Sequence, residues 1–412
     1  MRILVLTTDY PASTRRPGSP RLYNICRELA SRHFLVLGVL RPTQGRLSAF
    51  AEDNARDAVF GSVSSLPALV PGRARDFRWL VRRICHRLMF APSYSKRLLE
   101  PDYVETTRMA VSAAVATAEA DVVIVDGISC FQYVPADLPV PLVVDLCDCA
   151  SWLVAQLARH EKGTMRRVSL YLESKSIRRE ERTVLLKSAL VLTISEVDAT
   201  ALETVGRSGP VLVVGNGVDL DYFAYSPPAF EARTIIFSGV MEYQPNSDAA
   251  VYFAREILPA VRAKVPDARF VIVGTAPPPA VLALATPGVV TVTGDVDDVR
   301  PYLRGSSVFV CPLRIGAGVK NKILSAMAVG VPVVANSLSL SGIPVSAGRH
   351  VLVAETVADF AEKISSVLLN CELAEALSRQ GRAFVEQRFG WQLQGDIVDS
   401  ALRKVAAKKI TR

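Results

Sequence analysis

The feature that most constrains this chain is an alternation of short β-branched runs with longer helical stretches, made twice in succession. In the first half the runs are Arg2–Thr7, Phe34–Leu40, Asp121–Asp126, Leu142–Asp145, Ala189–Ile194 and Val211–Val214. A strand with one wet face alternates in polarity. These runs are nearly all apolar, which predicts strands buried on both faces, as in a parallel sheet between two layers of helix. The intervening segments Pro20–Arg32, Tyr103–Glu119 and Leu170–Lys187 have helical spacing. Such a β-α alternation predicts a doubly wound α/β domain.

The pattern pauses after Asn216-Gly217-Val218-Asp219, where Tyr222 to Glu231 holds Pro227-Pro228 and no periodicity. It then restarts. Strands are predicted at Thr234–Ser238, Arg269–Val273, Val289–Thr293, Val308–Pro312 and Pro332–Ala335. Helices are predicted at Ser247–Val265, Pro279–Ala285, Val299–Arg304, Lys320–Val329 and Val357–Leu369. A long helical stretch from Glu372 to Lys409 breaks near Phe389-Gly390-Trp391. The chain has 412 residues, too many for one ordinary core. The expectation is two Rossmann-like doubly wound domains facing a central cleft. They span residues 1–220 and 233–385, with a linker at 221–232 and a helical tail at 386–412 that is a candidate to pack back on the first domain.

Several function classes are disfavoured. No apolar run approaches the roughly eighteen residues needed to span a bilayer. Ile3 to Leu6 is followed almost at once by Asp9, which reads as a buried strand and not a signal peptide, so the cytoplasm is the default compartment. The seven cysteines are odd in number and scattered, and the four histidines are dispersed. Neither set has the spacing of a zinc site. The loop after the first strand lacks Gly-x-Gly-x-x-Gly, and no Gly-x-x-x-x-Gly-Lys-Ser/Thr element occurs. These absences count against nicotinamide or flavin enzymes and P-loop nucleotidases.

The formal charge of +8 is unevenly spread. Between Arg73 and Arg97 lie Arg75, Arg78, Arg82, Arg83, Arg87 and Lys96, opposed by Asp76 alone and interleaved with Trp79, Leu80, Ile84 and Phe90. Two readings stand: a solvated helix face, or a surface that meets anionic lipid. No recognised nucleic-acid motif accompanies the stretch.

Ligands of open α/β sheets bind beyond the carboxyl ends of strands, so the loops after strands hold the candidate site. The strongest is Pro312-Leu313-Arg314-Ile315-Gly316-Ala317-Gly318-Val319-Lys320-Asn321-Lys322. Its glycines let backbone approach a ligand closely. The helix that follows presents unpaired N–H groups, and Arg314, Lys320 and Lys322 add positive charge. Together these are the parts of a diphosphate site. Gly239 also follows a strand, with Asn246 or Ser247 as the expected cap of the next helix. In the first half, Asp145, Asp148 and Ser151 follow a strand and are expected to face the cleft, where a carboxylate could bind an acceptor hydroxyl. Capping by Asp148 or Ser151 is the plainer alternative.

These residues resemble the group-one, GT-B-fold, retaining glycosyltransferases of the kind that build bacterial surface polysaccharides. The likeness runs over nearly the whole chain. It is strongest through Phe237-Ser-Gly-Val-Met-Glu-Tyr-Gln-Pro-Asn246, Val271-Ile-Val-Gly274, Val292-Thr-Gly-Asp-Val296, Pro312 to Ala328 and Gly330-Val-Pro-Val-Val334. The resemblance implies a nucleoside diphosphate sugar as donor, a carbohydrate or lipid-linked acceptor, and no metal or other cofactor. It implies that Gly239 lies against the donor diphosphate beside the loop glycines Gly316 and Gly318 already read as a diphosphate cradle, that Arg314, Lys320 and Lys322 neutralise the charge of the leaving group as catalytic stabilisers, and that Gly294, Asp295 and Val296 border the base. It places Gly18, Arg21 and Asp148 toward the acceptor and the transferred sugar, Asp148 with a catalytic part. With a lipid-linked acceptor, the cytoplasmic default extends to a peripheral place at the inner face of the cell membrane.

One position departs from the family pattern. A glutamate usually holds the ribose hydroxyls where this chain has Ser325, and an earlier acidic partner is Ala317 here. Serine is shorter and neutral, so ribose contacts should weaken or pass to water or another residue. The departure supports one alternative, a non-catalytic sugar-nucleotide-binding or scaffold subunit of a polysaccharide assembly complex; a GT-B-type sugar-nucleotide epimerase is a third reading, less favoured by the loop sequences.

Overall fold

The computed structural model describes residues 1–13, 20–40, 44–66, 100–161, 163–206, 209–315 and 318–410. The chain forms two compact units, Met1–Gly215 with Gln394–Arg412, and Asn216–Leu393.

Among the described residues, the first unit holds a seven-stranded sheet. Its strands are β1 (Arg2–Thr7), β2 (Phe34–Val39), β3 (Ser62–Ser65), β4 (Val122–Asp126), β5 (Leu142–Cys147), β6 (Leu190–Thr193) and β7 (Val211–Val213). They lie in the order β3-β2-β1-β4-β5-β6-β7, and every pairing is parallel. In register, Ile3 sits beside Leu35 on one side and Val122 on the other. The apolar runs have the expected cause. Leu4, Leu6, Val123, Val125 and Val144 share a core with Val111 and Val115 of the helix Pro101–Thr117. The alternate residues Ile3, Val5, Ile124 and Val143 are also buried.

β3 has no counterpart among the expected strands. Its Ser-Val-Ser-Ser sequence is largely exposed, and it pairs only with β2 at the sheet edge, where one covered side is enough. The helices Gln44–Asp57, Ala150–His160 and Glu196–Val205 are likewise additional to the expected set.

The second unit repeats the architecture with six described strands. These are β8 (Thr234–Ser238), β9 (Arg269–Val273), β10 (Val290–Val292), β11 (Val308–Cys311), β12 (Val333–Ala335) and β13 (Leu352–Val353). They run parallel in the order β10-β9-β8-β11-β12-β13. One core joins Ile235, Phe237, Phe270, Phe309 and Val334 with Ile323, Met327, Phe360 and Ile364 from the covering helices. The helix expected over Ser247–Val265 begins at Gln244 and is not uniform. It passes through a wider turn at Phe253–Ile257, where the Leu258 N–H bonds to the Phe253 carbonyl, before Leu258–Arg262. Pro259 has no N–H to close an ordinary turn, which accounts for the widening.

The crossing between units lies at Gly215/Asn216, and residues 221–232 fall inside the second unit. Phe223 is buried in that core, and the Arg300 guanidinium stacks 3.9 Å from the Tyr222 ring centroid. Helices Cys371–Phe389 and Trp391–Ile410 are separated at Gly390. Residues from Gln394 onward group with the first unit. There Asp399 accepts from Arg32 at 3.1 Å and Arg403 at 2.9 Å and meets His33 Nε2 at 2.7 Å.

Candidate functional site

In the second unit β8 and β11 are neighbours, and the chain leaves them toward opposite edges of the sheet. The loops beyond their carboxyl ends part at this switch point, which opens a crevice. The loop Ser238–Tyr243 and the loop from Pro312 to Lys320 are those two loops.

The crevice is organised by glycine backbone. The Gly239 N–H donates to the Val273 carbonyl at 3.0 Å, and the Gly274 N–H donates to the Gly294 carbonyl at 3.2 Å. The loops after β8, β9 and β10 are thereby tied in series. A Cβ on Gly274 would lie 1.7 Å from the Gly239 carbonyl oxygen, so no side chain fits there. A Cβ on Gly239 would lie 2.6 Å from Lys322 Nζ and 2.7 Å from Asn246 Nδ2. Gly239 is therefore bare where the Lys322 and Asn246 side chains meet its backbone.

Lys322 belongs to the first turn of the helix Asn321–Val329. Its ammonium donates to Asn246 Oδ1 at 2.5 Å and sits 4.6 Å from the Phe237 ring centroid. Asn246 is oriented in turn, because its Nδ2 donates to the Val240 carbonyl at 2.8 Å. The expected cap role for Asn246 or Ser247 is not seen. Tyr243 is the cap residue of Gln244–Tyr252, and no side chain caps that helix.

Among the described residues Lys322 has no carboxylate partner. Burial, reinforced by the charge of Lys320, brings its ammonium down to about 8. Burial lowers Lys320 as well. Lys320 donates to the Gly318 carbonyl, and its charge disfavours the Lys322 ammonium, so an anion placed between the two would favour both charged forms. Lys320 is the cap residue of the helix behind them and makes no side-chain cap; the Ile323 N–H turns back to the Lys320 carbonyl, and the Asn321 and Lys322 N–H groups open the helix.

Arg314 is placed differently from the two lysines. Its Nε and Nη2 donate to the two oxygens of Asp248 at 2.9 and 2.5 Å, and its guanidinium lies 4.7 Å from the Tyr252 ring centroid. The expected trio of cations is thus a pair, Lys320 with Lys322, beside an arginine already bound to a carboxylate. Arg314 would have to leave Asp248 to meet a phosphate with its full fork.

Gly318 has a positive φ of 73°, and the space beside its Cα is open. Gly316 and Ala317 lie outside the described residues. Gly294 adjoins Gly274 as stated, Asp295 is exposed, and Val296 packs on the core. Ser325 is half-buried, three residues beyond Lys322 and on the same side of the helix.

The first unit has its own polar cluster at the carboxyl ends of its strands. Arg21 is 4% exposed; it donates to Asp145 at 2.8 and 3.3 Å and to the carbonyls of Val214 and Gly215 at 2.8 and 3.1 Å. This corrects the expectation that Arg21 and Asp145 face a ligand. They form an internal strut joining β5 to the segment after β7. Asp126, at the end of β4, accepts from the Thr7 hydroxyl at 3.0 Å, and burial beside Asp145 pushes its carboxyl up to about 6. Sequence reasoning passed over Asp126, although it ends an apolar strand at the switch point between β1 and β4. Asp148 stands at the surface side of this group; partial desolvation and then the Asp198 carboxylate hold it above the usual range. Ser151 is buried against Glu181, which accepts from its N–H at 3.0 Å and from its hydroxyl. Gly18 and the basic stretch 73–97 lie outside the described residues. Among those described, no helix is long and apolar enough to cross a membrane, and no cluster of three His, Cys, Asp or Glu could hold a metal.

Residues 232–370 match the family model of glycosyl transferases, group 1. No curated protein sequence matches the chain significantly. Solved structures align over nearly its full length. Sucrose-phosphate synthase from Thermosynechococcus elongatus is 13% identical with a TM-score of 0.66, covering 99% of this chain and 100% of its own. Anabaena HepE, solved with UDP and glucose, is 16% identical with a TM-score of 0.64, covering 98% and 100%. TarM, known also as a Staphylococcus aureus point mutant with UDP and glycan ligands, is 10% identical with a TM-score of 0.67, covering 98% of each chain. At these identities the likeness establishes the fold, the two-domain GT-B type.

Proposed function

We propose that this chain, whose residues 232–370 are a group 1 glycosyl transferase domain, moves a sugar from a nucleoside diphosphate donor to a carbohydrate acceptor. The observation that carries the reading is the buried Lys322 ammonium, set against Gly239 and Asn246 at the switch point of the second sheet and lacking a carboxylate partner among the described residues.

The chemistry follows from charge. As the bond from the sugar to the diphosphate lengthens, negative charge grows on the departing phosphate. In this reading Lys322, Lys320 and the N–H groups opening the helix Asn321–Val329 are the fixed positive groups that meet that charge. Such preorganised charge needs no rearrangement during the reaction and is commonly the largest catalytic contribution. Asn246 holds the ammonium in place. The bare backbone of Gly239 lets a phosphate come close. Arg314 joins when the donor phosphate displaces Asp248 from its guanidinium. Anabaena HepE, solved with UDP-glucose, makes a uridine donor the first to try.

In this reading the reaction needs no metal and no cofactor beyond the donor, and the anomeric configuration is retained. The acceptor is a lipid-linked carbohydrate of a surface polysaccharide or glycolipid, met at the cytoplasmic face of the membrane. Gly294, Asp295 and Val296 border the base, and Ser325 leaves the ribose hydroxyls to water or to another group. Asp148, exposed at the end of β5, is the acidic group offered to the acceptor.

The test is a thermal-unfolding screen with a panel of nucleoside diphosphate sugars, since a ligand that binds only the folded state raises its stability. At least one donor is expected to raise the melting temperature of the wild type and to lose that effect in Lys322→Met. Equal protection of both proteins, or protection of neither by any donor, would sink the reading.

A further inference from the structure

A second surface in the first unit has the chemistry of a ligand site and no part in the donor site. The helices Ala150–His160 and Thr164–Lys187 pack as a hairpin, and together with Glu196–Val205 they wall a groove of about 530 Å³. On the longer helix Arg167, Val168, Tyr171, Lys175 and Arg178 recur at helical spacing and line one side, while Trp152 lines the other. Arg159 completes the charged rim. Among the described residues no carboxylate lines the groove. Glu181 lies behind it, buried, with both oxygens bound by Ser151. Arg178 donates to the Thr204 carbonyl, whereas Arg159 and Arg167 have no ion pair among the described residues.

The hairpin also exposes apolar side chains that a water-facing helix pair has no need of. Tyr171 and Val168, which line the groove, are each at least half exposed, and Met165, in the first turn of the longer helix, is 89% exposed. Cations around an amphipathic groove, with apolar side chains projecting beside them, match an interface where phosphate headgroups lie above acyl chains.

We propose that this hairpin is a membrane-docking face whose groove takes the headgroups of anionic phospholipids. The charge complementarity selects a phosphate-bearing surface, and the exposed Met165, Val168 and Tyr171 supply the shallow apolar insertion. The face is separate in sequence from the basic stretch 73–97.

The test is co-sedimentation of the full chain with vesicles of phosphatidylcholine alone or mixed with phosphatidylglycerol. Wild type is expected to bind the mixed vesicles and not the neutral ones. An Arg167→Glu/Lys175→Glu double variant should partition at least roughly twentyfold more weakly, since each basic residue near an anionic surface contributes about fivefold. Met165→Ser, at a position too exposed to threaten folding, should weaken binding in the same direction. Unchanged melting temperatures, with and without donor, show that folding and the donor site are intact, so a failure here is distinct from a failure of the transferase reading. The proposal is overturned if wild type does not bind mixed vesicles, or if both variants bind like wild type. It is also overturned if Arg82→Glu/Arg83→Glu alone abolishes binding, or if the variants only dissociate a dimer of the chain seen by light scattering.

Discussion

Lys322 and Asn246 meet at 2.5 Å beside a glycine that has no room for a side chain. The pair comes from two helices, each following a different strand of the switch point. Lys322→Met keeps the apolar stem and removes the charge. Turnover is expected to fall on the order of a hundredfold to a thousandfold, the range seen when one preorganised stabilising group is lost. Stability should hold or rise, because a desolvated ammonium with no carboxylate partner among the described residues is itself unfavourable. Steady-state kinetics beside calorimetry would check both; near-normal kcat would remove Lys322 from the mechanism.

The lowered Lys322 pKa makes a signed prediction. The ammonium titrates near 8 in the folded chain, against about 10.4 for an unperturbed lysine. Between those values the unfolded chain binds more protons than the folded one, so this residue makes stability increase as pH rises through that window. A bound diphosphate favours the charged form. Donor affinity should therefore decline above about pH 8, and binding near there should take up a proton. Titration calorimetry in two buffers of different ionisation enthalpy would detect the uptake; Lys322→Met should abolish it.

Gly274→Ala is expected to damage the second unit more than an ordinary core substitution. Its Cβ would enter the Gly239 carbonyl at 1.7 Å, and that oxygen belongs to backbone that cannot swing aside. A loss of about 2 kcal/mol or more is expected from such overpacking. Denaturant unfolding would measure it. A stability within a few tenths of wild type would mean that the loops after β8 and β9 are not held as described.

Asp145→Asn tests whether Arg21 is a strut or a ligand contact. Removing the carboxylate leaves a guanidinium 4% exposed without its partner charge, a change that typically costs about 3–5 kcal/mol. The expected signature is a large fall in melting temperature. An altered acceptor KM at unchanged melting temperature would return Arg21 to the acceptor side.

Much of this architecture is written locally. β1, β4, β8 and β11 are continuous apolar runs because both faces of the sheets are covered, and a run of that kind can be read without knowing its neighbours. β3 could not be read that way, since an edge strand of Ser-Val-Ser-Ser needs only its pairing to β2. The loop after β11 was legible as glycines and cations after a strand. The partners that sort those cations were not. Asp248 lies 66 residues from Arg314 and Asn246 lies 76 from Lys322, and nothing local links them. Arg21 misled for the same reason: an arginine in a loop-to-helix start reads as exposed until Asp145, 124 residues away, is found against it.

The chain passes from the first unit to the second at Gly215/Asn216 and returns at Leu393/Gln394. On a ribosome, then, the first unit is not the first to be finished. Its sheet can emerge and collapse, but Asp399, which meets His33 and Arg32, is synthesised only after the whole second unit. Until those last turns of helix arrive, the surface around His33 waits uncovered, so a premature stop near residue 393 would injure the half of the protein made earliest.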